Sequence, residues 1–183
     1  MIAPVVPEAP LERADEGLVA AGDGWFVVNA REGRWRAAEG RGAVLPFEGE
    51  QDFPQLGVNL YVLGPGEPMS MYHWEADQED FLVLRGEGVL VVEGEERPLR
   101  GWDFVHCPAG MKHTILGGGE DFCVVLAVGA REHEDDPEWG GYTVDEVAGR
   151  HGVGVVRETN DVAEAYAHVG RREPAAYRDG WLP

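Results

Sequence analysis

The chain has 183 residues, enough for about one domain of ordinary size plus extensions. Its 15 basic residues against 34 acidic ones give a formal net charge of -19, which repels phosphate backbones. With no basic stripe to offset this charge, nucleic acid is excluded as a partner. Cys107 and Cys123 are too few for a disulfide framework, and the longest apolar run, Phe122 to Val128, is far short of a membrane helix. No charged-then-apolar leader opens the chain, so a cytoplasmic protein with no membrane partner is expected.

Residues 1–24 read as an N-terminal arm, an extended Pro-containing stretch followed by an Ala/Glu-rich piece from Leu11 to Ala21. Trp25 to Asn29 reads as a first strand, and a short strand is expected at Val44 to Phe47. From Leu56, Val58, Leu60 and Val62 alternate with Asn59, Tyr61 and Leu63, the pattern of a strand covered on both faces. Pro65-Gly66 breaks it, and Met69 to Trp74 resumes as an extended run. Phe81 to Leu84 and Val89 to Val92 flank Arg85-Gly86-Glu87-Gly88, which reads as a hairpin turn, and Gly94-Glu95-Glu96 is another turn.

Short strands follow at Pro98 to Arg100, Asp103 to His106, Lys112 to Leu116 and Phe122 to Val128. Short strands at such spacing, separated by turn residues, predict an all-β sandwich or barrel over residues 25–131. Residues 132–183 change in texture. Glu132 to Glu138 is an acidic, exposed linker. Thr143 caps a predicted helix over Val144 to Arg150, and Asn160 caps a second over Asp161 to His168. Tyr177 and Trp181 predict a tail that packs on the barrel.

His73 and Glu75 are two positions apart and so project to one face of a strand, and Glu79 follows a polar bend at Ala76 to Gln78. An imidazole and two carboxylates converging in an apolar interior are costly unless a cation holds them, and a divalent metal supplies that charge. The alternative is a solvated helix face with Glu75 and Glu79 at i,i+4, against which Phe81, Val83 and the flanking glycines argue. Further on, Pro108-Ala109-Gly110 forms a turn three residues before His113, placing that histidine at the start of a new strand.

The two segments together resemble the cupin superfamily. The first cupin motif is carried by Gly66, His73, Glu79 and Gly86, and the second by Gly101, Pro108, Gly110 and His113. The resemblance covers residues 56–128 and implies a small antiparallel β-barrel or jelly roll with a metal in its lumen. It also implies His73, Glu79 and His113 as ligands, with Glu75 as a fourth. Glu75 stands where the family has the second histidine of His-x-His, and Gly117 where it often has Asn. Fe, Mn, Zn and Ni all remain open as the ion. Two imidazoles and one carboxylate are also the ligand set of non-haem Fe(II) oxygenases, so a dioxygenase acting on a small organic molecule is the leading expectation. Glu75 and Glu79 are then the candidate catalytic proton carriers. A sugar-type isomerase or epimerase is the alternative enzyme. The non-enzymatic alternative is a binding or sensing protein whose Glu75 marks the loss of the metal.

Tyr72 and Trp74 alternate with the proposed ligands and are expected to pack under the terminal arms. His106 reads as a structural hydrogen-bonding residue, Cys107 as a small buried hydrophobe, and Lys112, Asp77 and Gln78 as surface positions. His133, His151 and His168 carry no functional reading. Val58, Leu60, Phe81, Val83, Val91, Ile115 and Val124 are the expected cavity lining. The arm with Trp25 and Phe26 either adds a strand to a neighbour's sheet, giving a homodimer, or folds back on its own barrel.

Overall fold

Strands dominate the computed structural model, which describes residues 5–183. The first four residues of the expected arm lie outside the described residues. The Ala/Glu-rich piece is a hairpin of β1 (Leu11–Ala14) and β2 (Gly17–Ala20). Its edge joins its own chain, through Leu18 N to Glu32 O at 2.7 Å and Arg34 N to Leu18 O at 3.2 Å. The arm therefore folds back. Trp25 to Asn29 is not a strand: Trp25 makes only an isolated bridge to Glu8, and Val27 lies exposed. Strand-forming side chains without a paired neighbour do not make a strand.

The following strands are β3 (Trp35–Ala37), β4 (Ala43–Pro46), β5 (Leu56–Leu63), β6 (His73–Glu75) and β7 (Glu79–Arg85). Then come β8 (Glu87–Val92), β9 (Glu95–Arg100), β10 (Phe104–Cys107), β11 (His113–Gly117), β12 (Cys123–Ala130) and β13 (Gly140–Tyr142). Helices α1 (Glu146–Arg150) and α2 (Val162–Ala165) precede β14 (Glu173–Ala175). One sheet has the order β10-β7-β12-β5-β4-β3-β14 and the other β13-β6-β11-β8-β9. All their strand pairs are antiparallel, and the two sheets face one another as a jelly-roll sandwich that does not close into a barrel.

The Arg85-to-Gly88 turn is not a hairpin. β7 pairs with β10 and β12, whereas β8 pairs with β9 and β11, so the chain changes sheets there. Gly86 makes the change at φ 79°, where a Cβ would meet the Phe122 carbonyl oxygen at 2.3 Å. The true hairpin is β8–β9, where Val92 pairs with Glu95 across Glu93 and Gly94, both at positive φ, as the tight turn requires. Met69 to Trp74 becomes strand only from His73.

Three apolar clusters hold the layers. Phe81, Val83, Ile115 and Val125 fill the space between the sheets. Trp35, Leu60, Val62, Val124 and Trp181 seal the outer face of the larger sheet. Tyr72, Val91 and Leu116 back onto Val147, Ala148 and Val153 behind the smaller sheet. The facing of β5 is therefore the reverse of the expected one. Its apolar Leu60 and Val62 point outward to the tail, and Gly57, Asn59 and Tyr61 point to the cavity.

The helix caps also shift by one or two residues. Asp145 rather than Thr143 caps α1, accepting from Ala148 N at 2.9 Å, and Asp161 rather than Asn160 caps α2. In each case the carboxylate one turn from the first free amide takes the role. No helix among the described residues is long and apolar enough to cross a membrane.

Candidate metal centre

His73 opens β6 and His113 opens β11, and the pairing of these strands sets the two histidines directly opposite one another. Their rings are 5.1 Å apart. The Pro108-to-Gly110 turn fixes this register: Gly110, at φ 82°, donates its N–H to the Glu75 carbonyl at 2.7 Å. Glu79 comes from the facing sheet as the first residue of β7. Its Oε2 lies 3.6 Å from His73 Nε2 and 3.2 Å from His113 Nε2. The three donors thus bridge the two sheets, and all their ligand atoms lie within 4.8 Å of one another.

Hydrogen bonding decides which ring nitrogens face inward. His73 Nδ1 donates to the Met71 carbonyl at 2.8 Å and His113 Nδ1 to the Met111 carbonyl at 3.0 Å. A carbonyl only accepts, so each neutral ring carries its hydrogen on Nδ1 and turns the Nε2 lone pair toward Glu79. Glu79 Oε2 and His113 Nε2 are buried and neither has a hydrogen-bond partner. Lone pairs aimed at a buried carboxylate repel it unless positive charge lies between them.

With no ion bound, a proton on His113 Nε2 can take the place of the cation beside Glu79. Burial works against the Glu79 carboxylate, but the two histidines outweigh it and hold its pKa below the usual range. Burial likewise disfavours protonated His113, yet the Cys107 sulfur and Glu79 raise it to about 10. A divalent cation fits this donor set. Donors about 2.1 Å from a shared ion and 90–110° apart are about 3.0–3.4 Å from one another.

Glu75, the expected fourth ligand, stands apart. Its Oε1 is 3.4 Å from His73 Nε2, but it lies outside the convergent group. No basic group other than His73 approaches its carboxylate among the described residues.

The centre opens into a cavity of about 280 Å³. Of the seven expected lining residues only Phe81 lines it; Val83 and Ile115 are deeper in the core, Leu60, Val91 and Val124 face outward, and Val58 is not among its walls. The other walls come from distant segments: Tyr61 on β5, Arg131 after β12, Trp139, Tyr142 on β13 and Tyr166 after α2. Local spacing carries no signal for these residues, because strand pairing alone brings them here. Tyr142 reaches the site as the partner of His73 in the β13–β6 pair.

Asp77, expected at the surface, is buried. His133 donates to it from its backbone N at 2.9 Å and its ring Nδ1 at 2.7 Å. Burial alone would raise the Asp77 pKa, but these bonds hold it below the usual carboxylate range. The same contact raises the His133 pKa. Glu132 joins the pair in a second group of closely spaced donors, which is mostly exposed. His106 bonds Asp80 at 2.7 Å, Cys107 is buried, and Lys112 does not line the cavity. Tyr72 packs beneath α1 as expected.

Residues 59–129 match the family described as a cupin domain. No curated protein matches the chain. Among solved structures, a protein from Acidithiobacillus ferrooxidans is 32% identical over 42% of this chain and 51% of its own, at a TM-score of 0.41. A sugar phosphate isomerase of the cupin superfamily from Silicibacter pomeroyi is 30% identical over 56% of this chain and 62% of its own, at a TM-score of 0.44. A polyketide cyclase from Streptomyces resistomycificus is 16% identical over 58% of this chain and 79% of its own, at a TM-score of 0.49. The chain thus spans about half the length of the first of these and under two thirds of the second.

Proposed function

We propose that residues 59–129, which match the cupin domain family, hold one divalent cation on His73, Glu79 and His113 and act as a metal-dependent enzyme on a small organic molecule. The observation that carries this reading is the pair of inward Nε2 lone pairs meeting the unpartnered, buried oxygen of Glu79. Two imidazoles and one carboxylate leave coordination positions free, and with Fe(II) bound such a centre supplies oxygen activation, so we read the reaction as a dioxygenation. Met69 and Phe81 wall the cavity with apolar surface and exclude water. Glu75, beside the centre but outside it, takes a proton from the bound substrate at its free carboxylate oxygen.

That same free carboxylate favours a second reading, an isomerase or epimerase in which Glu75 moves a proton and no oxygen is used. Both cysteines are free and buried, which supports a reducing, cytoplasmic setting. Elemental mass spectrometry of the protein beside a His113→Ala variant tests the centre. The expected result is one ion per chain, lost in the variant. No ion in the parent protein even after reconstitution overturns the enzyme reading in favour of a metal-free binding protein. Oxygen uptake by the iron-loaded form separates the two reactions.

A further inference from the structure

The charge of the cavity wall is one-sided. Glu75, Asp77, Glu79 and Glu134 line it, and the only arginine among the lining residues is Arg131. That guanidinium is already engaged: Nη1 lies 2.6 Å from Glu48 Oε1, Nη2 donates to Glu48 Oε2 at 3.1 Å, and Nη1 also donates to the Phe53 carbonyl at 2.9 Å. Its Nε faces Glu134 at 3.4 Å. Two carboxylates therefore share one arginine.

Two other arginines nearby, Arg172 and Arg41, are not among the residues that line the cavity. Arg172 lies behind the Tyr61 ring and donates to the carbonyls of Arg41, Pro68 and Met69. Arg41 covers the Tyr166 ring from 4.6 Å and donates to the Gly170 carbonyl. Asp77 is paired with His133, and Glu79 would be balanced by the proposed ion, which leaves Glu75 beside a His73 read as neutral and Glu134 sharing Arg131 with Glu48.

Aromatic rings line the same cavity as these two carboxylates. Trp139 and Tyr142 line the same cavity, and Tyr166 meets Tyr142 edge to face at 5.7 Å. Ring faces attract positive charge, and desolvated ammonium groups gain most from them. A phosphate or sulfate ester would find carboxylates and no free guanidinium or ammonium.

We propose that the cavity selects a small organic cation of the ammonium class, its positive end held by Glu75, Glu134, Trp139 and Tyr142 beside the metal centre, and that it rejects phosphate esters. This inference rests on reading the cavity as the substrate site of the centre.

The test is calorimetric titration of the full chain, metal-free and metal-loaded, with three probes. These are choline, its carbon isostere bearing tert-butyl in place of trimethylammonium, and inorganic phosphate. Choline is expected to bind about fivefold to thirtyfold more tightly than the isostere, and phosphate most weakly. Glu134→Gln is expected to keep the ion and to lose about fivefold of the preference, while Glu134→Lys abolishes it. Equal affinity for choline and the isostere, tighter binding of phosphate in the loaded form, or no binding of choline at millimolar concentration each overturns the proposal. A protein that takes no ion yet prefers choline keeps this inference and loses the metal reading. One that loads its ion and prefers phosphate does the reverse.

Discussion

Glu75 and Glu79 are both acidic and both line the cavity, yet the backbone places them differently. Glu79 begins a strand of one sheet and faces two histidines of the other; Glu75 sits on the same short strand as His73, and its carboxylate pairs with that ring and no other basic group among the described residues. Elemental analysis of two amide variants separates them. Glu79→Gln is expected to lose the ion, whereas Glu75→Gln keeps it with affinity reduced by about tenfold at most. The spacing of His73, Glu79 and His113 was legible in the sequence because a strand, a bend and a Pro-x-Gly turn are local devices with fixed geometry. Asp77 was not. A carboxylate in a polar bend reads as solvated, and only the return of the chain 56 residues later, which brings His133 onto it, buries it.

Among the elements, the segment that follows β12 depends on that contact. His133 N and Nδ1 both bond Asp77, and Asp136 N and Trp139 N continue the turn structure from His133 and Asp136 carbonyls. The Asp77 pKa is depressed from an ordinary value of 3.8, so its stabilising contribution is present above that value and is lost as pH falls through the folded-state value. The His133 pKa is raised from 6.5, so its contribution is full below that value and is lost as pH rises through the raised one. Hydrogen-exchange protection of the His133 amide is therefore expected to peak between about pH 4 and pH 6.5 and to fall on both sides.

The strands themselves were readable from alternation and from the turns between them, but their partners were not. Period-2 patterning says that a segment is extended and covered. It does not say which cover lies on which face, so β5 was read with its apolar side chains toward the cavity when they pack under Trp35 and Trp181. For the same reason Gly86 was read as turning a hairpin, although it carries the chain from one sheet to the other.

At the scale of the whole molecule, the candidate centre is the place where the two sheets of an unclosed sandwich are joined by side chains, His73 and His113 from one and Glu79 from the other. A cation bound there would stabilise the native fold by an amount that grows with the logarithm of its free concentration above its dissociation constant. At a free concentration a hundred times its dissociation constant it adds about 2.7 kcal/mol. Removing it with a chelator is expected to lower the melting midpoint by about 5–10 °C, read by scanning calorimetry. An unchanged midpoint in a protein shown to have carried the ion would mean that the sheets are held by their apolar core alone.

The register of β3 with β14 has a consequence in time. Trp35 pairs with Ala175, so the two strands are separated by the whole of the sandwich. Chains grow at about 5–20 residues per second, which means that β3 waits roughly 7–28 s for its outer partner to be made. Throughout that interval its unpaired edge is open to other growing chains, and the acidic charge of the molecule is what keeps them apart.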